Sequence, residues 1–160
     1  MNVILPPKRQ VPALLLLVLS LGIGAILGAS LFRSLEPRTI LAWNACMDRS
    51  CLRMNEVIGL AAAVGVKYIP DLLPQVVLET PYSIALRHPF PEDRVHYIII
   101  PKKDIKNIGE LTNQDQAYLL DAFAVMQELV KRDKLQTYFM RTSGPGYQDV
   151  AYLHFHLLAK

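Results

Sequence analysis

The sequence predicts an α+β domain with an antiparallel five-stranded sheet and one long helix, preceded by a single N-terminal transmembrane helix. Three observations predict it. The first 32 residues hold a long uncharged run, short β-rich segments joined by turns fill the second half, and one segment among them has helical periodicity. The chain has 160 residues, 52% hydrophobic and 19% charged. Beyond the apolar run there is room for one domain with one core, which excludes a multidomain enzyme, a polytopic transporter and a disordered chain.

Residues 1–10 form a tail carrying Lys8 and Arg9, and no charge occurs from Gln10 to Phe32. Residues 11–32 read as the transmembrane helix, because 22 residues at about 1.5 Å each reach roughly 33 Å, enough for a bilayer's hydrocarbon core. A cleaved secretory signal is the competing reading. Length favours the anchor, since a signal core is about 7 to 15 residues. Ser20, Gly24 and Gly28 recur every fourth residue, on one helix face, where a second helix could approach closely. Basic residues flank the run on both sides, so neither side of the membrane is selected. The rest of the chain carries 15 basic and 14 acidic residues, a balance that argues against nucleic acid as partner.

Residues 33–74 read as a membrane-proximal helical or irregular linker. Cys46 and Cys51 are the only cysteines. They could pair in an exported domain if the segment is a turn, or stay as free thiols in the cytoplasm, and two ligands alone do not make a metal site. The apolar run Val57 to Val66 is too short to span and is expected to pack on the domain or lie at the membrane surface. Pro70 and Pro74 interrupt the chain after it.

The sheet domain is expected over residues 75–160. Gln75 to Glu79 and Tyr82 to Leu86 read as strands across a Thr80-Pro81 turn, and Val95 to Ile100 as a third, β-branched strand ended by Pro101. Thr112 with Asp115 three residues on is a helix-capping pattern, followed by a stripe of Leu119, Leu120, Phe123, Met126, Leu129 and Val130. Leu135 to Thr142 and Val150 to Leu158 complete the strands, with the loop SGPGYQ between them.

Chemistry is concentrated in the last strand, where alternation puts His154 and His156 on one face with Tyr152, and Leu153, Phe155 and Leu157 on the other. Neutral imidazole is a good nucleophile near pH 7, and a glycine-containing loop can present N–H groups to phosphate. The plain alternative is polar filler on a half-exposed strand. His88 in its Pro bend and His96 at the start of a buried strand read as structural.

The stretch GYQDVAYLHFHLL resembles the signature of the histidine triad family, a Gln followed by a His-x-His-x-His strand, and HYIIIPKKDI resembles that family's HxLVIPKxH strand and turn. The likeness covers about residues 75–160. It implies attack by the middle histidine, His154, on the α-phosphate of a nucleotide ester, anhydride or phosphoramidate, with no cofactor and no metal. His156 would assist at the phosphate, while Gln148, Tyr152 and the loop with Gly144 and Gly146 would hold phosphate oxygens. Base and ribose would lie against Tyr82, Ile84 and His96. Tyr152, Asp104 and Asp149 depart from the pattern, standing where the family has His, His and Ser or Thr. Three functions follow from the resemblance: a membrane-anchored nucleotide phosphohydrolase or nucleotidyl transferase; a catalytically decayed accessory subunit of a membrane complex; and a hydrolase of a lipid-linked nucleotide, as in CDP-diacylglycerol pyrophosphatase. A transmembrane helix partner or a homodimer is the expected association.

Overall fold

The structure, a computed structural model, describes residues 10–43 and 51–160. The chain divides into two compact units, one running to Leu35 and the other from Glu36 to Lys160.

The first unit is helix α1, Gln10–Phe32. Apolar side chains lie exposed from Leu14 to Phe32, a pattern suited to lipid rather than to water. Ala13–Phe32 is long and apolar enough to cross a membrane. Ser20 bonds its own helix at the carbonyl of Leu17, 2.8 Å away, and a Cβ added at Gly24 or Gly28 would meet nothing.

In the second unit, helix α2 spans Met54–Tyr68 and buries Gly59, Ala63, Gly65 and Val66, so the short apolar run packs on the domain. Cys51 carries a disulfide, whereas Cys46, with which the sequence would pair it, lies outside the described residues. The strands are β1 (Val76–Glu79), β2 (Ser83–Arg87), β3 (Val95–Pro101), β4 (Tyr138–Arg141) and β5 (Phe155–Ala159), with helix α3 (Gln116–Arg132) between β3 and β4. All pairings are antiparallel and the order is β1-β2-β3-β5-β4. Alternation divides the sheet into two faces. Ala85, Tyr97, Ile99, Phe155 and Leu157 meet Ala122, Val125, Met126 and Leu129 of α3 in the main core. The opposite face carries Ile84, Ile98, Ile100 and His156.

Three expectations are corrected. Leu120 and Phe123, assigned to the buried stripe of α3, are 62% and 47% exposed, because the helix turns Ala122 and Val125 to the sheet instead. The Thr112–Asp115 capping box is present but heads a 3-10 turn, Asn113–Asp115, before α3 begins. The final strand begins at Phe155 rather than Val150, since the backbone N–H of Ala151 is taken by Asn55 O at 2.9 Å instead of by a sheet neighbour.

Candidate active site

Strand register assembles the site. β2 and β3 pair Arg87 with Tyr97, so the next residue outward, His88, falls opposite His96, and the His88 N–H donates to His96 O at 2.8 Å. β3 and β5 pair Ile98 with His156, which makes His96 and His156 diagonal neighbours on one face. The rings of His88 and His96 stack at 4.1 Å, His96 Nε2 lies 2.8 Å from His156 Nδ1, and the rings of His154 and His156 meet edge-on at 4.9 Å. The four histidines of the chain therefore form one cluster. His88, read as structural from sequence, belongs to it, as does His96, which the resemblance set against base and ribose; the signal that finds His88 is the strand pairing, not a motif.

Hydrogen bonds define the tautomers. His154 Nδ1 lies 2.7 Å from the carbonyl of Tyr152, which only accepts, so the proton sits on Nδ1 and the Nε2 lone pair is free. The backbone N–H of Glu92 donates to His96 Nδ1 at 3.2 Å, so neutral His96 is protonated on Nε2 and donates to His156 Nδ1. That leaves His156 with an Nε2–H donor. Burial pushes the imidazoles of His154 and His96 below their ordinary range, and burial together with the neighbouring histidines pushes His156 down to about 4. His96, His154 and His156 are therefore neutral at pH 7, and among these three the lone pair on His154 Nε2 and the donor on His156 Nε2 are left for a ligand.

The same contacts oppose a cation. Ring nitrogens of His88, His96 and His156 lie within 4.8 Å of one another, close enough to consider ligation. The Nδ1 atoms of His88 and His96, however, each accept a backbone N–H, from Phe90 at 3.0 Å and from Glu92 at 3.2 Å. Binding a metal through Nε2 would move each proton to Nδ1, against those donors.

Neutral burial has a pH signature. The unfolded chain takes up a proton on His156 below about 6.5 that the folded chain refuses until about 4, so this contribution to stability is complete above 6.5 and disappears through that window. Melts between about pH 7.5 and about pH 4.5 are expected to show a falling Tm, and His156→Asn a shallower fall. Equal slopes would remove His156 as the cause.

The cluster opens into a cavity of about 470 Å³, also lined by Ile58, Ala62, Ile98, Ile100 and Asp149. Gln148 and Tyr152 are in its lining. Gln148 is buried and donates its Nε2–H to Lys106 O at 2.9 Å. Tyr152 is buried, its hydroxyl 2.7 Å from Pro101 O and 3.1 Å from Lys103 O, and burial raises its pKa far above the ordinary phenol range. Gly144 and Gly146 are not in the lining; Ser143 and Tyr147 of that loop are. Tyr82 packs edge-on against Tyr118 at 5.2 Å and Ile84 is fully buried in the sheet, so neither reaches the cavity. A larger hollow of about 750 Å³ lies over Arg87, Arg94 and Arg132. Its one imidazole, His96, has both nitrogens engaged, so chemistry belongs to the smaller cavity.

A buried ionic network, not anticipated from sequence, joins the cavity's margin to the segment before the sheet. Arg38, its side chain 4% exposed, pairs with Asp104, donates to Ala151 O and lies 3.6 Å from Glu56 Oε2. Asp104 also accepts the N–H of Glu36 at 2.8 Å. Burial pushes the Asp104 carboxyl above the usual range, with the Glu36 N–H and Arg38 pulling the other way. At the rim, Arg141 pairs with Glu92 and holds its carboxyl below the usual range.

Residues 72–160, more than half of the chain, match the family model described as HIT domain. The chain is 31% identical over 85 residues to a HIT-like protein of Chlamydia pneumoniae, spanning 51% of this chain and 77% of that one. It is 30% identical over 79 residues to a bifunctional adenosine 5'-phosphosulfate phosphorylase/adenylylsulfatase of Arabidopsis thaliana, spanning 48% of this chain and 54% of that one. A solved HIT family hydrolase from Clostridium thermocellum superposes with a TM-score of 0.55 at 28% identity, covering 61% of this chain and 89% of that one.

Proposed function

The chain belongs to the HIT domain family, and from that premise we propose that it is a membrane-anchored hydrolase or nucleotidyl transferase acting on nucleotide phosphoanhydrides or phosphoramidates through a nucleotidyl-histidine on His154. The observation that carries this reading is the His154 tautomer, with Nδ1–H held by Tyr152 O and the Nε2 lone pair unengaged. The lone pair attacks the α-phosphorus, and a P–N bond forms as the bond to the leaving group breaks. The imidazole then carries positive charge, which the Tyr152 carbonyl stabilises through Nδ1–H. His156 donates Nε2–H to a phosphoryl oxygen, where negative charge is greatest. Water or another acceptor then cleaves the P–N bond, restoring the lone pair and releasing the nucleotide. The Arabidopsis relative, named as acting on adenosine 5'-phosphosulfate, supports a nucleotide anhydride as one substrate class.

Helix α1 serves as the anchor in this reading, and the disulfide at Cys51 favours the oxidising side of that membrane. The decayed-subunit reading rests on Tyr152, Asp104 and Asp149, which depart from the family pattern, and His154, His156 and Gln148 count against it; Tyr152 bonds the Pro101–Lys103 turn and Asp104 bonds Arg38. The test uses the full chain in mild detergent with nucleoside phosphoramidates, adenosine 5'-phosphosulfate, dinucleoside polyphosphates and CDP-diacylglycerol. Turnover of at least one, with a nucleotidylated protein trapped in the acid-quenched reaction, is expected. No turnover of any would sink the proposal.

Association follows from the free edge of the sheet. β4 is an edge strand, and Tyr138, Phe139 and Met140 are 47%, 49% and 45% exposed. An apolar edge strand is a template for a second strand, and a homodimer would cover it. Light scattering on the detergent-solubilised chain is expected to show a dimer that Phe139→Lys converts to monomer; a monomeric wild type would refute this.

A further inference from the structure

Three arginines from three separate places in the chain converge on the hollow of about 750 Å³. Arg87 closes β2, Arg94 stands just before β3, and Arg132 ends α3. The chain beyond α1 is close to charge balance, so this local excess comes from placement and not from composition. Like charges held over one hollow repel one another, and a bound anion relieves that repulsion.

Hydrogen bonds distinguish the three. Arg132 donates Nε–H to Asp133 Oδ1 at 2.8 Å, and Nη2–H to Asp133 Oδ2 at 3.2 Å and to the Tyr97 hydroxyl at 3.0 Å. That hydroxyl donates in turn to Asp133 Oδ2 at 2.6 Å. Asp133, the one carboxylate residue in the lining, is therefore fully engaged, and the bond from Arg132 holds its carboxyl below the usual range. The same bonds fix the Arg132 guanidinium and leave its Nη1 outside them. Arg94 gives one N–H to Lys160 O at 3.1 Å. The Arg87 guanidinium makes no hydrogen bond and no close ion pair among the described residues.

The charge left over selects the ligand. Asp133 offsets Arg132, and Arg87 and Arg94 stay uncompensated in the lining. A carboxylate would match only one of them. A phosphate monoester carries about −1.5 to −2 near pH 7 and offers several oxygens to forked guanidinium donors. Val77, Pro91 and Val95 complete the lining, an apolar surface for carbon attached to the phosphate.

Register sets this hollow apart from the histidine cavity. Arg87 pairs with Tyr97, which belongs to the core beneath α3, so both face that helix, while His156 pairs with Ile98 on the reverse face.

We propose that Arg87, Arg94 and Arg132 form a second binding site, which takes a phosphomonoester joined to an apolar group, on the sheet face opposite the histidine cluster. The same chemistry occurs in a soluble organic phosphate and in the headgroup of phosphatidic acid.

Phenyl phosphate is the soluble probe, titrated by calorimetry into the full chain in a neutral detergent. Submillimolar binding that weakens as salt rises is expected. Combining Arg87→Gln with Arg94→Gln is expected to lower the affinity at least about 10-fold, while His154→Ala changes it less than about 2-fold. Both arginines are exposed, so the double variant is expected to keep the wild-type Tm, which separates lost binding from lost folding. No binding at about 10 mM, or binding that His154→Ala removes and the double variant keeps, would overturn the site.

Phenylglyoxal modification of arginine, followed by peptide mass spectrometry, locates the ligand and its source. Phenyl phosphate is expected to slow modification of Arg87 and Arg94 several-fold; slowing at Arg141 alone would mark the histidine cavity and overturn the site. The full chain is then compared in nanodiscs of phosphatidylcholine with and without phosphatidic acid. Protection by phosphatidic acid alone supports the site with a lipid headgroup as ligand, and protection only by added phenyl phosphate supports it with a soluble one. Protection by neither overturns it. None of these measurements needs turnover, so the site stands or falls separately from the reading of His154 as nucleophile.

Discussion

Replacing His154 with alanine is expected to lower kcat by at least about 10³-fold and to abolish the trapped nucleotidyl-protein, with little loss of stability. The asymmetry follows from where the side chain points. Leu153 and Phe155 on either side are buried in the core beneath α3 and hold the backbone, while the His154 ring projects into the cavity and makes one hydrogen bond, to Tyr152 O. His156→Asn removes a donor rather than the nucleophile, and a loss of about 10²-fold to 10³-fold is expected, with the covalent species still detectable. Rapid-quench kinetics with a radiolabelled nucleotide separate the two variants. A nucleotidyl-protein surviving in His154→Ala would move the nucleophile elsewhere in the cluster.

The largest expected stability effect lies outside the histidines. Arg38→Met leaves the carboxylate of Asp104, its side chain 1% exposed, without its cationic partner, and such a loss typically costs about 3–5 kcal/mol. Glu36 N–H still reaches Asp104, which limits the deficit. Adding Asp104→Asn to Arg38→Met is expected to recover much of the loss, because a neutral amide tolerates burial and can still accept from Glu36. The deficit of the single variant should also shrink as pH falls and Asp104 becomes neutral, since burial already raises its pKa. Thermal melts of the four proteins in the same detergent decide this. Equal, additive losses for the two substitutions would mean that Arg38 and Asp104 do not act as a pair.

Periodicity in the sequence is enough to read the strands, α3 and the pair His154 and His156, since a β-branched run and an alternating strand need no tertiary context. The SGPGYQ loop shows how far that reading extends: Gln148 reaches the cavity, but Gly144 and Gly146 do not. His88 was legible only through pairing, because it sits in a locally unremarkable Pro bend and gains its neighbour from the Arg87–Tyr97 register. Leu120 and Phe123 mark the limit of counting apolar residues, as a stripe wider than the sheet it meets must leave part of itself outside. Arg38 was illegible in principle. Its partners Asp104 and Ala151 are 66 and 113 residues away, and no local pattern announces a contact of that span.

That span also governs the order of assembly during synthesis. β5 lies between β3 and β4, so the sheet lacks an inner strand until residues 155–159 have left the ribosome. The contacts around α2 span more chain still, with Asn55 and Arg38 made early and their shared partner, Ala151, made about a hundred residues later. Throughout that interval the small-residue face of α2 and the unpaired edge of β3 remain uncovered in the nascent chain. On the proposal that α1 is a membrane anchor, the incomplete chain would be tethered to that membrane throughout this interval.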